Sequence, residues 1–189
     1  MQPDFPEATD PTSMTLEAFA DTIIPGEKRH RHDHAVAGVS AGGGAVASGA
    51  LELLRHPAGG LADSLDGLAM MLNGHTQQYA AERGLALADD LPPFVALAFA
   101  DRTALVAQLT GVDHPEKALW VGMALFSNMA FDSAAHLSTP DALRDGHPGL
   151  LSIGYTAPDA DGAWRFPRFS YGRALADIHP NTTPTGSPA

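Results

Sequence analysis

The sequence contains no cysteine and has few basic residues. Without cysteine the chain cannot form a disulfide bond, a thiolate nucleophile, an iron–sulfur cluster or a covalent haem attachment. Lys and Arg number 11 against 22 Asp and Glu, which gives a formal net charge of −11. Such an acidic chain is a poor partner for nucleic acid or for an anionic membrane surface.

The N-terminal stretch also lacks the features of a targeting segment. The first 15 residues carry acidic side chains but no Lys or Arg, which predicts no secretory or twin-arginine leader and a cytoplasmic location. The most apolar stretch of the chain, residues 115–137, is interrupted by Lys117, Asp132 and His136. We therefore expect no membrane span.

No segment alternates apolar and polar residues at period two, and no segment repeats, so we predict an all-α fold. Helical spacing of apolar residues predicts helices over 15–24, 35–55, 61–83, 101–109 and 115–137. Gly42 to Gly44 interrupt the second of these, which predicts either two short helices or one helix packed very close to a neighbour. The expected organisation is a loose lead over 1–14, a helical domain over 15–140 and an irregular tail over 141–189.

The segment from Pro115 to Leu137 is predicted to be the central helix. Pro115 suits a first helical position, and Pro140 lies just beyond the end, so about 23 residues span roughly 34 Å. Apolar residues occupy nearly all of its faces, which is typical of a helix buried inside a bundle. The fold is thus expected to be an irregular bundle around one long central helix.

The C-terminal tail is irregular but rich in aromatic residues. Disordered segments are usually poor in aromatics, so we expect these rings to be buried. The tail either folds back over the helices or lies on another subunit as an extended arm. The candidate partner-binding residues are Tyr155, Trp164, Phe166, Phe169 and Tyr171.

Three polar residues, Asn128, Asp132 and His136, follow each other at spacings of four along the predicted central helix. At this spacing Asp132 and His136 can touch, as an acid–base pair would. The alternative is a buried polar network that ties the helix to its neighbours. No G-x-S-x-G motif surrounds a nearby serine, so the stripe lacks a nucleophile, and no catalytic residue is assigned beyond these three candidates.

His30, His32 and His34 form the densest group of possible metal ligands. Alternate residues of an extended segment face the same side, which suits a metal. Lys28, Arg29 and Arg31 in the same segment repel a cation, however, so a solvated loop is the main expectation. His75, beside Leu72 and Tyr79, is expected to be a hydrogen-bonded histidine at the edge of the core rather than a ligand.

Two stretches of the chain resemble a known family. Ala20 to Gly26, with the sequence ADTIIPG, is similar to the opening stretch of the gluconate 2-dehydrogenase subunit 3 family. Gly146 to Tyr155, with the sequence GHPGLLSIGY, resembles the closing stretch of that family. The whole chain looks closest to a group of small bacterial proteins encoded beside flavin oxidoreductases of the glucose-methanol-choline type.

The resemblance implies a small, helical, non-catalytic subunit that stabilises a larger catalytic subunit. That larger subunit would carry FAD and oxidise a sugar, alcohol or sterol-like hydroxyl group, whereas this chain would bind no cofactor. Members of the family commonly carry a twin-arginine leader, which this sequence does not show. Two alternatives remain at this point: a stand-alone enzyme using Asp132 and His136 with a contribution from Asp101 or Arg102, and a metal-binding protein using the segment from His30 to His34.

Overall fold

The computed structural model describes residues 10–155 and Asn181. The chain divides into two compact units, Met1–Tyr155 and Thr156–Ala189. The first unit contains eight α-helices among its described residues, and these are α1 (Pro11–Ile23), α2 (Ala50–Arg55), α3 (Leu65–Arg83), α4 (Pro93–Ala96), α5 (Phe99–Leu109), α6 (Lys117–Ser133), α7 (Thr139–Arg144) and α8 (Pro148–Ser152). Two single-turn 3-10 helices, Pro57–Gly59 and Ala62–Ser64, precede α3. No strand occurs in the described residues, which confirms the all-α class.

The helix at the centre of the bundle is α1. Every residue from Thr15 to Thr22 is buried, and the helix packs against α2, α3, α4, α5 and α6. Asp10 caps its start by accepting a hydrogen bond from the Ser13 N–H, and Pro11 occupies the first helical position. The ring of Phe19 lies 6.1 Å from that of Trp120 and 6.5 Å from that of Phe94, so this helix lies in the main hydrophobic core.

The predicted central helix, α6, is shorter than expected and lies on the outside of the bundle. It ends at Ser133, because Ala134 adopts a left-handed conformation with φ of 48°. Trp120, Met123, Ser127 and Ala130 are its buried residues. Leu125 and Met129 remain 54% and 43% exposed, so apolar residues on its outer face made the helix look central when only its sequence was considered.

The segment from Ala35 to Gly49 is not helical, contrary to the prediction of a helix over 35–55. Gly44 instead packs directly on the backbone that follows α1: the Ala45 N–H donates to Ile24 O at 3.0 Å, and the Glu27 N–H donates to Gly42 O at 2.8 Å. A Cβ at Gly44 would lie 2.6 Å from the Gly26 nitrogen. The glycines therefore permit two stretches of backbone to touch.

The charged segment after α1 is anchored to the bundle. Arg29 makes a two-bond ion pair with Glu17 of α1, at 2.7 and 2.9 Å, and a second ion pair with Asp33 at 2.7 Å. Glu17 and Asp33 are both buried. Burial by itself raises the pKa of Asp33, but the hydrogen bonds and charge of Arg29 outweigh it and hold this pKa below its ordinary value. This segment is therefore not the freely solvated loop that the sequence predicts.

Helical structure continues beyond Pro140, where the sequence predicts only an irregular tail. The short helices α7 and α8 each begin with a side-chain cap, Ser138 for α7 and His147 for α8, and each has a proline at its first or second helical position. Ala142 and Leu150 pack with Ala134 in a small separate cluster. The helical unit thus extends to Tyr155, because these local caps favour helices too short to show a periodic pattern. Four of the predicted arm residues, Trp164, Phe166, Phe169 and Tyr171, lie outside the described residues.

Candidate functional site

The structure does not bring Asn128, Asp132 and His136 together. Because the helix ends at Ser133, His136 no longer lies one turn beyond Asp132. Asp132 is exposed and has no hydrogen bond or ion pair with His136 among the described residues. Asn128 donates to the carbonyl oxygen of Ala124 on its own helix at 2.9 Å. The geometry of an acid–base pair, which depended on a continuous helix, is therefore absent from this part of the chain.

His136 instead packs against Gly49 and His147. A Cβ at Gly49 would lie 2.6 Å from Cε1 of His136 and closer still to Nε2, and the rings of His136 and His147 are 6.3 Å apart. His136 Nδ1 is buried and has no hydrogen-bond partner, and burial lowers the pKa of this imidazole. His147 donates from Nε2 to Ser48 O at 3.0 Å and accepts from the Leu150 N–H through Nδ1, so both of its nitrogens serve the fold.

Within the described residues, the three histidines of the charged segment do not converge as a set of metal ligands. His32 is exposed and accepts a hydrogen bond from Arg31 Nε at 2.6 Å. His30, His32 and His34 are absent from the clusters of three or more ligand side chains that converge within the described residues. Arg29 and Asp33 turn inward and form an ion pair. The segment is therefore not an extended strand, and the three histidines do not face one side.

The two α5 residues considered as catalytic helpers also have structural roles. Arg102 is 4% exposed and donates hydrogen bonds to four backbone carbonyl oxygens, those of His34, Ala35, Val95 and Leu97. Asp101 accepts a hydrogen bond from the Tyr79 hydroxyl at 3.1 Å. Arg102 therefore joins α5 to the loop after α1, and four of its five N–H donors are used by backbone carbonyl oxygens.

A different group of side chains does converge. The group consists of His75 in the middle of α3, His114 in the loop before α6 and Glu116 at the start of α6. One potential metal-ligand atom of each lies within 4.8 Å of the other two. His75 Nε2 donates to Glu116 Oε2 at 2.8 Å, and the rings of His75 and His114 meet edge to face at 5.6 Å. Two imidazoles and a carboxylate are the ligand types that zinc and related ions use in open sites.

The carboxylate of this cluster is held in place by a buried ring. The indole N–H of Trp120, one turn along α6, donates to Glu116 Oε2 at 3.0 Å. Hydrogen bonds from His75 and then from Trp120 lower the pKa of Glu116 below its ordinary value, because they favour the ionised form. The side chains of His75 and Glu116 are 27% and 35% exposed, so the cluster opens to solvent.

The sequence contained only a weak signal for this cluster. His75 was correctly expected to be hydrogen-bonded, but its partner lies 41 residues away in the chain. The H-P-E triplet of His114, Pro115 and Glu116 places two ligand types at a helix start, and this could have marked the loop as a candidate. Only the packing of α3 beside the start of α6 adds the third side chain.

The two stretches that resemble a known family have structural roles in the folded chain. Asp21 of the first stretch accepts hydrogen bonds from the N–H groups of Gly26, at 3.1 Å, and Ala37, at 2.8 Å. Burial raises the pKa of Asp21, although both N–H groups oppose this shift. Gly44 packs on the first stretch, and a Cβ at its neighbour Gly43 would lie 2.7 Å from Pro148 of the second. The glycine run therefore lies between the two stretches and packs against both.

The predicted partner-binding residues can be placed only in part. Tyr155 is partly buried against the cluster of Ala134, Ala142 and Leu150, and its N–H donates to Leu150 O at 2.9 Å. The other four aromatics lie outside the described residues. Within the described residues, no helix is long and apolar enough to span a membrane.

The fold and its contacts define an acidic, all-α protein whose described part has one convergent cluster of metal-ligand side chains. The chain belongs to the family described as "Family of unknown function (DUF5987)", which it matches over residues 10–189. No curated protein matches it significantly, and no solved structure does.

Proposed function

We propose that this chain is a non-catalytic small subunit that binds and stabilises a larger flavin-dependent oxidoreductase of the glucose-methanol-choline type. The larger subunit would hold FAD and act on a sugar, alcohol or sterol-like hydroxyl group. The proposal starts from the resemblance of Ala20–Gly26 and Gly146–Tyr155 to an accessory-subunit family. It includes assembly in the cytoplasm, which fractionation of cells expressing both chains would test.

The observation that carries the proposal is the structural use of these two stretches. Asp21 hydrogen-bonds backbone N–H groups, His147 caps α8, and the glycine run packs on both stretches. None of these contacts places a nucleophile beside a base. These contacts stabilise the fold. That suits an accessory subunit, because such a subunit must present a defined surface to its partner.

The outer face of α6 supports the proposal with a surface for that partner. Leu125 and Met129 lie one turn apart on this helix and are 54% and 43% exposed. Two further exposed apolar side chains lie at the end of the adjoining helix α8: Leu151 within the helix and Ile153 just after it, at 58% and 50%. Apolar side chains exposed at helical spacing are typical of a surface that another chain covers.

Co-expression with the neighbouring oxidoreductase gene tests the proposal. We expect the two chains to co-purify, to elute together in size exclusion and to show the absorbance of bound flavin. Replacing both Leu125 and Met129 by Asp should reduce recovery of the complex at least tenfold, because each charge must be buried in the interface.

The matched control is Met70→Asp, which changes an α3 methionine that is 73% exposed. This variant should assemble as the wild type does. Failure of the wild-type chains to associate would contradict the proposal, and so would a Leu125/Met129 double variant that assembles normally.

The enzymatic alternative is tested in the same reconstituted pair. Asp132 is exposed and lies apart from His136, so Asp132→Asn should leave both assembly and turnover unchanged. A variant that assembles fully and melts at the wild-type temperature but has no activity would instead identify Asp132 as catalytic.

A further inference from the structure

We propose that His75, His114 and Glu116 form a binding site for a divalent transition-metal ion of the zinc class. This site lies outside the two family-like stretches, and it is independent of the proposed partner. It provides two imidazoles and one carboxylate, with one side open to solvent. That ligand set leaves a coordination position for water or for a group from another molecule.

The distances allow binding after small side-chain rotations. Bonds of about 2.0–2.1 Å in a tetrahedral zinc site separate the ligand atoms by roughly 3.3 Å. The three donor atoms already lie within 4.8 Å, and His75 Nε2 and Glu116 Oε2 are 2.8 Å apart. The closest pair must therefore open slightly while the wider pairs draw together, without any movement of the helices.

Each ligand is attached to a part of the fold that is already fixed. His75 follows Leu72 and precedes Thr76, both of them fully buried residues of α3. Glu116 is held by the indole of Trp120, which is 1% exposed. The hydrogen bond from Trp120 orients the Glu116 carboxylate. In known metal sites, residues that hydrogen-bond to the ligands orient them in the same way. His114 lies in a loop, so it is the ligand that can move to close the site.

Protons must be displaced for the metal to bind. His75 Nε2 now donates its hydrogen to Glu116, so binding of the ion through Nε2 requires this ring proton to move to Nδ1. His114 Nδ1 accepts a long hydrogen bond of 3.2 Å from the Glu116 N–H. Binding through His114 Nε2 breaks this bond and moves the ring proton to Nδ1. Two neutral imidazoles and one carboxylate leave a divalent site with a charge of +1, which an acidic chain tolerates well.

The experiment uses the full chain, freed of any affinity tag and stripped of metal with a chelator. Zn²⁺ titration in a calorimeter should show one ion bound per chain. Co²⁺ should produce the visible absorption bands of a four- or five-coordinate ion with nitrogen and oxygen ligands. His75→Gln, His114→Ala and Glu116→Gln should each weaken Zn²⁺ binding by at least roughly 10- to 100-fold.

The control is the triple variant in which His30, His32 and His34 become Ser, and it should bind Zn²⁺ as the wild type does. His114→Ala changes a loop residue, so it remains informative even if the α3 variant fails to fold. The proposal is overturned if stoichiometric binding persists in His114→Ala and Glu116→Gln, or if the triple variant is the one that loses it. Absence of any stoichiometric Zn²⁺ binding would overturn it as well, whatever the outcome of the co-expression experiment.

Discussion

His136 shows how the role of a single residue depends on where a helix stops. Four residues after Asp132, it looked like one half of an acid–base pair. The left-handed conformation of Ala134 carries it away from α6 and packs it against Gly49 and His147. The imidazole there is partly buried, with Nδ1 unpaired, and its neutral form is favoured.

This burial predicts a pH dependence of stability. The pKa of His136 is lowered from 6.5 in the folded chain, so the unfolded chain binds a proton at a higher pH than the folded chain does. The contribution of His136 to the free energy of unfolding is therefore complete above 6.5 and decreases as the pH falls below that value. We expect the wild-type protein to lose stability in urea melts between about pH 7 and about pH 5.

His136→Gln removes the titrating group, so its free energy of unfolding should decrease less over the same pH range. His32→Gln, at an exposed position, is the control and should keep the wild-type slope. Equal slopes for wild type and His136→Gln would show that His136 does not carry this dependence.

At the scale of elements, the close contact between Gly42–Gly44 and the end of α1 holds the non-helical segment before α2 against the bundle. Backbone hydrogen bonds link Ala45 to Ile24 and Glu27 to Gly42. The loop is also anchored through Arg29, Asp33 and Arg102. A non-helical segment is thereby kept next to the most buried helix of the bundle.

Gly44→Ala should destabilise the protein, because the new Cβ would lie 2.6 Å from backbone atoms of both Pro25 and Gly26. Neither stretch can yield without losing its hydrogen bonds, and overpacking of this kind costs about 1–3 kcal/mol. Gly74→Ala, on the exposed side of α3, meets no atom within 4 Å and should stabilise the protein by about 0.5–1 kcal/mol. Urea denaturation of both variants measures the difference, and a Gly44→Ala protein as stable as the wild type would contradict this account.

At the scale of the whole molecule, the chain divides after Tyr155. All eight α-helices of the described residues lie before this point, and so does the candidate metal cluster. The aromatic residues proposed for partner binding lie mostly after it. Removing the residues after Tyr155 should therefore leave the helical fold in place and take away only part of the proposed partner-binding surface.

A chain ending at Tyr155 should keep most of the helical circular dichroism signal and bind the oxidoreductase subunit more weakly than the full chain does. Replacing Trp164, Phe166, Phe169 and Tyr171 by Ser in the full chain should reproduce the loss of binding, because the change removes apolar contact area without shortening the protein. Loss of most of the helical signal on truncation would mean that residues 156–189 belong to the core.

Local sequence patterns were sufficient for the fold class and for the helices with a regular apolar face. Leu65, Leu68, Leu72, Thr76 and Tyr79 are buried along α3 as their spacing predicts, and Gly84 ends that helix in a left-handed conformation. Asp101 and Leu109 likewise lie on one helix, α5. These features could be predicted because helix periodicity and terminal glycine depend on neighbours within a few residues.

Tertiary structure decided which helix is central, where α6 ends and which polar side chains meet. The apolar residues of α6 do not reveal that Leu125 and Met129 face outward, since exposure depends on what packs against the helix. The pairs Arg29 with Glu17, His147 with Ser48 and His75 with Glu116 join residues 12, 99 and 41 positions apart. Composition and local spacing carry no information about such distant pairs, because the folded bundle alone brings them within hydrogen-bond distance.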